Sequence, residues 1–148
     1  MVIPNLSNVP SESNISRPLR VLDVSALACM AIKTSLIDAK CACRPENAVS
    51  WQTVPPSLDE AHFEAVGTLR EDPFVEPTFA EYHPAGTRYE SPDAPIAPRF
   101  FPYNRCAVTR CVLCGRHYLR YTEAGGYFVD HRIRLLSATH LIDAAAPT

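Results

Sequence analysis

The feature that most restricts this chain is Cys111-Val-Leu-Cys114-Gly115, set inside the stretch from Asn104 to Leu136. Two cysteines at this spacing can turn both thiolates onto one ion, and the glycine lets the backbone bend tightly behind them. His117 to Thr122 follows, then Glu123-Ala-Gly-Gly126, then Tyr127 to Leu135. Aromatic and β-branched residues flanking Gly-Gly read as a β-hairpin. If Thr122 lies across from Tyr127, Tyr118 faces His131, and a one-residue bulge would put His117 there instead. A zinc site built from Cys111, Cys114, His117 and His131 is then sterically reasonable, since two cysteines and two histidines are a common zinc set. The plainer reading keeps the thiols and imidazoles as ordinary hairpin residues. Cys106 reaches the same ion only if the segment between it and Cys111, about 16 Å when extended, is looped.

Composition narrows the class. A length of 148 residues allows one domain and one modest core. Fourteen prolines against five glycines require long irregular or extended segments. The formal charge of −2 gives no general drive toward nucleic acid or membrane. No run is apolar enough to span a bilayer, and the N-terminus lacks the pattern of a signal peptide. A cytoplasmic address with reduced thiols is the expectation, so the six cysteines read as ligands or buried thiols and not as disulfides.

In chain order, residues 1–18 are polar and rich in Ser, Asn and Pro, as in a mobile arm, and residues 19–148 form the single globular domain. Arg20 to Lys40 is helical in pattern, capped by Asp23, with Leu22, Ala26, Cys29, Ile32 and Leu36 on its apolar side. Cys29 on that face reads as a buried inert thiol. Cys41-Ala-Cys43 can bind metal, but one intervening residue makes shared tetrahedral ligation harder than C-x-x-C, and a packed turn is the rival reading. Ser57-Leu-Asp-Glu60 has the form of a capping box opening a second, short helix to Leu69. Glu71 to Arg99 is acidic, aromatic and proline-rich. Its Phe74, Phe79, Tyr82 and Tyr89 need partners, which predicts an ordered wrap around the hairpin.

The expected fold is therefore α+β: two N-terminal helices and a proline-rich wrap packed on a C-terminal antiparallel β-hairpin sheet, zinc-ribbon-like if metal is bound. The chain has no phosphate-binding glycine loop, nucleophile elbow or H-E-x-x-H, so a non-catalytic role is expected. Arg105, Arg110, Arg116, Arg120, Arg132 and Arg134, interleaved with Tyr118, Tyr121, Tyr127 and Phe128, would suit single-stranded nucleic acid. The near-neutral net charge argues against that use.

Two resemblances add to this. Cys111-x-x-Cys114-Gly with Val129-Asp130-His131 is similar to the first half of an HNH endonuclease. That likeness implies that His131 activates water and Asp130 helps hold a divalent ion. The chain departs from the family after His131, where it has neither the expected asparagine nor a further C-x-x-C. The pattern Tyr82-His-Pro-Ala-Gly-Thr-Arg-Tyr89, Ser91-Pro-Asp-Ala-Pro-Ile96, Pro102-Tyr-Asn-Arg-Cys106, Cys111-x-x-Cys114-Gly and Leu119-Arg-Tyr-Thr-Glu-x-Gly-Gly-Tyr127 resembles a group of small bacterial proteins. That group includes immunity proteins found beside secreted polymorphic toxins, such as those of type VI secretion. The resemblance implies a bacterial cytoplasmic protein that neutralises a toxin by direct binding. For a basic toxin the preferred contact is the acidic set Glu71, Asp72, Glu76, Glu81, Glu90 and Asp93.

Overall fold

The computed structural model describes residues 19–147. The expectation of a mobile arm over residues 1–18 falls outside them. Among the described residues one α-helix, α1 (Val24–Ser35), precedes five strands: β1 (Gln52–Thr53), β2 (Phe63–Thr68), β3 (Ala107–Cys111), β4 (His117–Ala124) and β5 (Val129–Leu135). They form one antiparallel sheet in the order β1-β5-β4-β3-β2. Short 3-10 turns lie at Pro45–Ala48, Glu60–His62 and Tyr103–Arg105. Among the described residues no helix is long and apolar enough to cross a membrane. The expected α+β class holds, with a sheet wider than a hairpin.

The second expected helix is a strand. Asp59, not Ser57, caps a single 3-10 turn, accepting from the Ala61 N–H at 3.0 Å. The chain then extends as β2. Phe63, Ala65, Gly67 and Leu69 recur every second residue, a strand period that also fits a helical wheel over so short a run. The glycine at 67 and threonine at 68 disfavour helix further. A bulge between Ala65 and Gly67 shifts the register and turns the later residues to the opposite face. Phe63 therefore packs beside Cys111 and Tyr118, while Val66 and Leu69 join the larger core. Position 67 has no room for a side chain, because a Cβ there would lie 2.5 Å from Leu22 Cγ.

α1 begins where expected, with the Asp23 carboxylate accepting from the Ala26 N–H at 2.8 Å. It is shorter than Arg20–Lys40 and is rotated from the expected face. Leu27, Ala31 and Thr34 are buried, while Cys29 is exposed, Ile32 is half in solvent and Leu36 is 77% exposed. The rotation has a polar cause. Thr34 Oγ1 accepts from the His117 N–H at 2.9 Å in a buried position at the start of β4, so the threonine must face the sheet.

Strand alternation gives the sheet two faces. Val108, Leu119 and Tyr121 point to the larger core with Leu22, Leu27, Ala31, Trp51, Leu69, Ile96, Tyr103 and Leu136. Tyr118, Ile133 and Cys111 point to the other, smaller cluster, which contains Cys43 and Ala48. The proline-rich segment does wrap the larger core. Tyr89 stacks on Trp51, Tyr82 packs on Phe100, and Phe79 packs on Phe101. The Asn104 amide donates to Thr78 O at 2.9 Å and holds the wrap to the turn before β3. Phe74 is the exception, 94% exposed.

Candidate metal centre

The C-x-C and C-x-x-C pairs, separate in sequence, meet on the smaller face of the sheet. Cys41, Cys43, Cys111 and Cys114 bring their four Sγ atoms within 4.8 Å of one another, the one such group of metal-ligating side chains among the described residues. Cys41 and Cys111 are 3.7 Å apart, as are Cys43 and Cys114. A disulfide needs about 2.05 Å, and all six cysteines are free. Four sulfurs bound at about 2.3 Å from one tetrahedral ion sit about 3.8 Å apart. The observed spacing fits that polyhedron and is too tight for the ligands of a larger cluster.

Local backbone explains the convergence. Cys111 ends β3, and the chain turns through Gly115 at φ +91°, with the Gly115 N–H donating to Cys111 O at 2.7 Å. That left-handed conformation favours glycine. On the opposing side Arg44 takes φ 52° and donates its N–H to Cys41 O at 3.0 Å, closing a turn around Cys43. The same turns aim amide hydrogens at sulfur. Burial raises the Cys111 thiol above its ordinary range, against hydrogen bonds from the Cys114 and Leu113 amides. Burial also acts on Cys41, but there hydrogen bonds led by the Cys43 amide win, and its thiol is lowered. Cys43 is raised, chiefly by burial, while its sulfur accepts from the Tyr118 hydroxyl at 2.9 Å.

A tetrathiolate around a divalent ion carries net negative charge, and the surroundings answer it. Arg116 is buried beside the cluster, donating Nη2 to Ile37 O and Ala39 O at 3.0 and 2.8 Å. Its Nη1 is buried without a hydrogen-bond partner. Burial works against the charge of this guanidinium, but the Cys114 thiol beside it outweighs that, and its basicity is raised. A buried guanidinium with one free nitrogen among the described residues, beside Cys114 and Cys43, fits an anionic metal–thiolate centre, as outer-sphere donors do elsewhere.

The two histidines expected as ligands are placed elsewhere. His117 leaves β4 on the face opposite Tyr118, so it points away from the cysteines and toward α1. Its Nδ1 is 3.2 Å from Thr34 Oγ1. His131 sits on the cysteine side of the sheet but pairs with Thr122, not Tyr118. The hairpin closes through Gly125 and Phe128, with the Gly125 N–H donating to Phe128 O at 2.8 Å. The turn therefore lies two residues later than the Tyr118 pairing assumed, which moves His131 four positions along β4, about 13 Å, and its Nδ1 lies 3.1 Å from Thr122 Oγ1. The Cys2His2 set is corrected to four cysteines. Cys106 is fully buried in the larger core, with its thiol on Pro102 O.

His117 also makes stability depend on pH. Thr34 Oγ1 accepts from the His117 amide, so its own hydrogen is free to donate to Nδ1, which must then be unprotonated. Burial foremost, then the Arg110 and Lys33 charges, hold this imidazole below its ordinary value. A lowered folded-state pKa means that the unfolded chain binds the proton more readily. The stabilisation is complete above the unfolded value of about 6.5 and is lost as pH falls through the folded value. Replacing His117 with Asn should remove that acid-side loss, so that stability changes less with pH below about 6.5. Urea unfolding at a series of pH values checks it.

The remaining sequence candidates are surface groups. Glu71, Asp72, Glu76, Glu81, Glu90 and Asp93 are all exposed. Glu71, Asp72 and Glu76 line a cleft of about 360 Å³ with Leu69, Val75 and Pro98. Asp130 is 3.2 Å from both Thr53 Oγ1 and Arg132 Nη1, and strand alternation points it away from the face that carries His131. The arginine row is largely consumed within the fold. Arg105, Arg110, Arg120 and Arg132 pair with Glu76, Glu64, Glu60 and Asp130, and Arg116 and Arg134 are buried. Comparison with protein-family models, with curated proteins and with solved structures finds no match to this chain.

Proposed function

We propose that the chain is a non-catalytic protein-binding protein whose fold is pinned by one structural Zn²⁺ held by Cys41, Cys43, Cys111 and Cys114. The observation that carries the metal is the 3.7 Å sulfur spacing within a group of four thiols. A closed set of four protein ligands leaves no position for substrate, which is the pattern of structural zinc. When bound, the ion supplies cross-linking: it ties the loop after α1 to the knuckle after β3.

Binding is supported by the surface. The segment from 71 to 93 presents six exposed carboxylates with Phe74 and Phe79 largely in solvent, a mix suited to a basic protein partner. Nucleic acid is disfavoured by the internal pairing of the arginines. Neutralisation of a secreted bacterial toxin is the leading case, in line with the resemblance of residues 82–136 to immunity proteins. A nuclease reading would need Asp130 and His131 to act on one ion, and they leave β5 on opposite faces.

The experiment is a titration against the candidate toxin, with rescue of cells co-expressing it. Reversing Glu71, Glu90 and Asp93 to lysine leaves the ion pairs named above intact. It should weaken binding about tenfold or more at low salt, mostly through slower association. Unchanged affinity would remove the acidic face from the reading.

A further inference from the structure

We propose that Cys41 is an oxidation site through which peroxide-class oxidants open the metal centre, converting the four thiolates to the disulfides Cys41–Cys111 and Cys43–Cys114. The inference rests on the zinc reading above and adds a chemistry to it. The four sulfurs are not equally reachable. Cys43 and Cys111 are buried, whereas Cys41 and Cys114 are partly exposed, and of these two it is Cys41 that lines an open cleft of about 640 Å³ with Asp38, Lys40, Arg44, Glu46 and Arg116. Cys41 is thus the sulfur placed in a cleft through which a small oxidant arrives from solvent.

Distance selects the sulfurs that react next. The Cys41 thiolate attacks the O–O bond of the peroxide, forming S–OH and releasing hydroxide. Cys111 Sγ, 3.7 Å away, then attacks that sulfur, forming the S–S bond and expelling a second hydroxide. Closing from this separation to a disulfide requires less than ~2 Å of movement. With two ligands gone the ion is held by two thiolates, and Cys43 and Cys114, also 3.7 Å apart, undergo the same pair of steps. In sum four thiolates give four electrons to two peroxides, which take up four protons and leave as water, and Zn²⁺ is released. Cys106 serves as an internal control, since it is fully buried and bonded to Pro102 O at 3.3 Å.

The test uses the full chain with Cys29, an exposed thiol outside the cluster, changed to serine. Zinc content is measured first. Protein that holds no zinc overturns the metal reading, and this inference with it, before oxidant is added. Zinc-loaded protein is then treated with hydrogen peroxide while a zinc-responsive dye and peptide mapping follow the reaction. The expected result is complete release at about two equivalents, with Cys41–Cys111 and Cys43–Cys114 as the cross-links and Cys106 still reduced. In Cys41→His, which keeps four ligands but loses the reachable thiol, release should slow about tenfold. Zinc retained under excess peroxide overturns the inference while leaving the zinc reading intact. Equal release rates in Cys41→His, or first oxidation at Cys43, Cys111 or Cys114, overturn it as well.

Discussion

Stripping zinc from the reduced protein should lower its melting temperature by about 10 °C or more, equivalent to about 3–5 kcal/mol for a domain of this size. The smaller face of the sheet has little else to hold it. Its buried residues are Cys43, Ala48, Cys111, Tyr118 and Ile133, so two of the five belong to the four-thiol group that could hold the ion. The loop between α1 and the turn at Pro45–Ala48 reaches the sheet chiefly through Cys41, Cys43 and the Arg116 bonds to Ile37 O and Ala39 O. Without an ion, four thiols crowd within 4.8 Å of one another with no bond between them, and Arg116 loses the negative charge that a metal–thiolate centre would present to it. Zinc binding is folding free energy in such a site. Thermal scans with and without a chelator, under reducing conditions, read the difference directly. A melting temperature unmoved by chelation of zinc-loaded protein would mean that the ion is not structural.

The second large effect lies on the other face. Arg134 is 0% exposed and has no carboxylate partner among the described residues. It donates Nη1 to the Tyr103 hydroxyl and Nη2 to Pro92 O and Ala94 O at 3.1 and 2.9 Å. One guanidinium therefore fastens the proline-rich wrap to β5. Arg134→Met should destabilise the fold by about 3 kcal/mol, because the buried Ala94 carbonyl loses its guanidinium donor, and the Pro92 carbonyl and the Tyr103 hydroxyl, which keeps only the Trp51 Nε1 donor, each lose one as well. Arg134→Lys should recover little, since an ammonium lacks the planar fork that spans these acceptors. Urea unfolding reads both changes. The loss should appear with faster proteolysis between residues 76 and 94, where the wrap detaches. A methionine variant as stable as the parent would show that desolvation of the unpaired charge had cancelled the bonds it makes.

Legibility in the sequence tracks the range of the interactions involved. The strands of the C-terminal hairpin, the cap at Asp23 and the metal-binding character of Cys111 and Cys114 depend on residues close in sequence, and all are legible. The hairpin register is not. Thr122 across from Tyr127 would leave Glu123 to Gly126 as the turn, but Glu123 and Ala124 stay in β4 and the loop takes in Tyr127 and Phe128 instead, and that shift carries His131 away from the knuckle. The strand from Phe63 to Thr68 reads as a helix because its apolar residues satisfy both periods, and only pairing with β3 decides between them. The α1 face is set by one buried bond from Thr34 to His117, 83 residues apart. Cys41 and Cys43 carry a signal stronger than their spacing suggests: two close-spaced cysteine pairs in a chain expected to keep its thiols reduced amount to one four-thiol set. A C-x-C is awkward as half of a site only until the left-handed turn at Arg44 is known.

The most direct test of the metal centre is native mass spectrometry with elemental analysis on the parent chain and on Cys43→Ser, His117→Gln and His131→Gln, all purified reduced and without chelator. One zinc per chain in the parent and in both histidine variants, with loss in Cys43→Ser, is the result this structure predicts. Zinc kept by Cys43→Ser and lost by either histidine variant, or no metal in the parent, would contradict it.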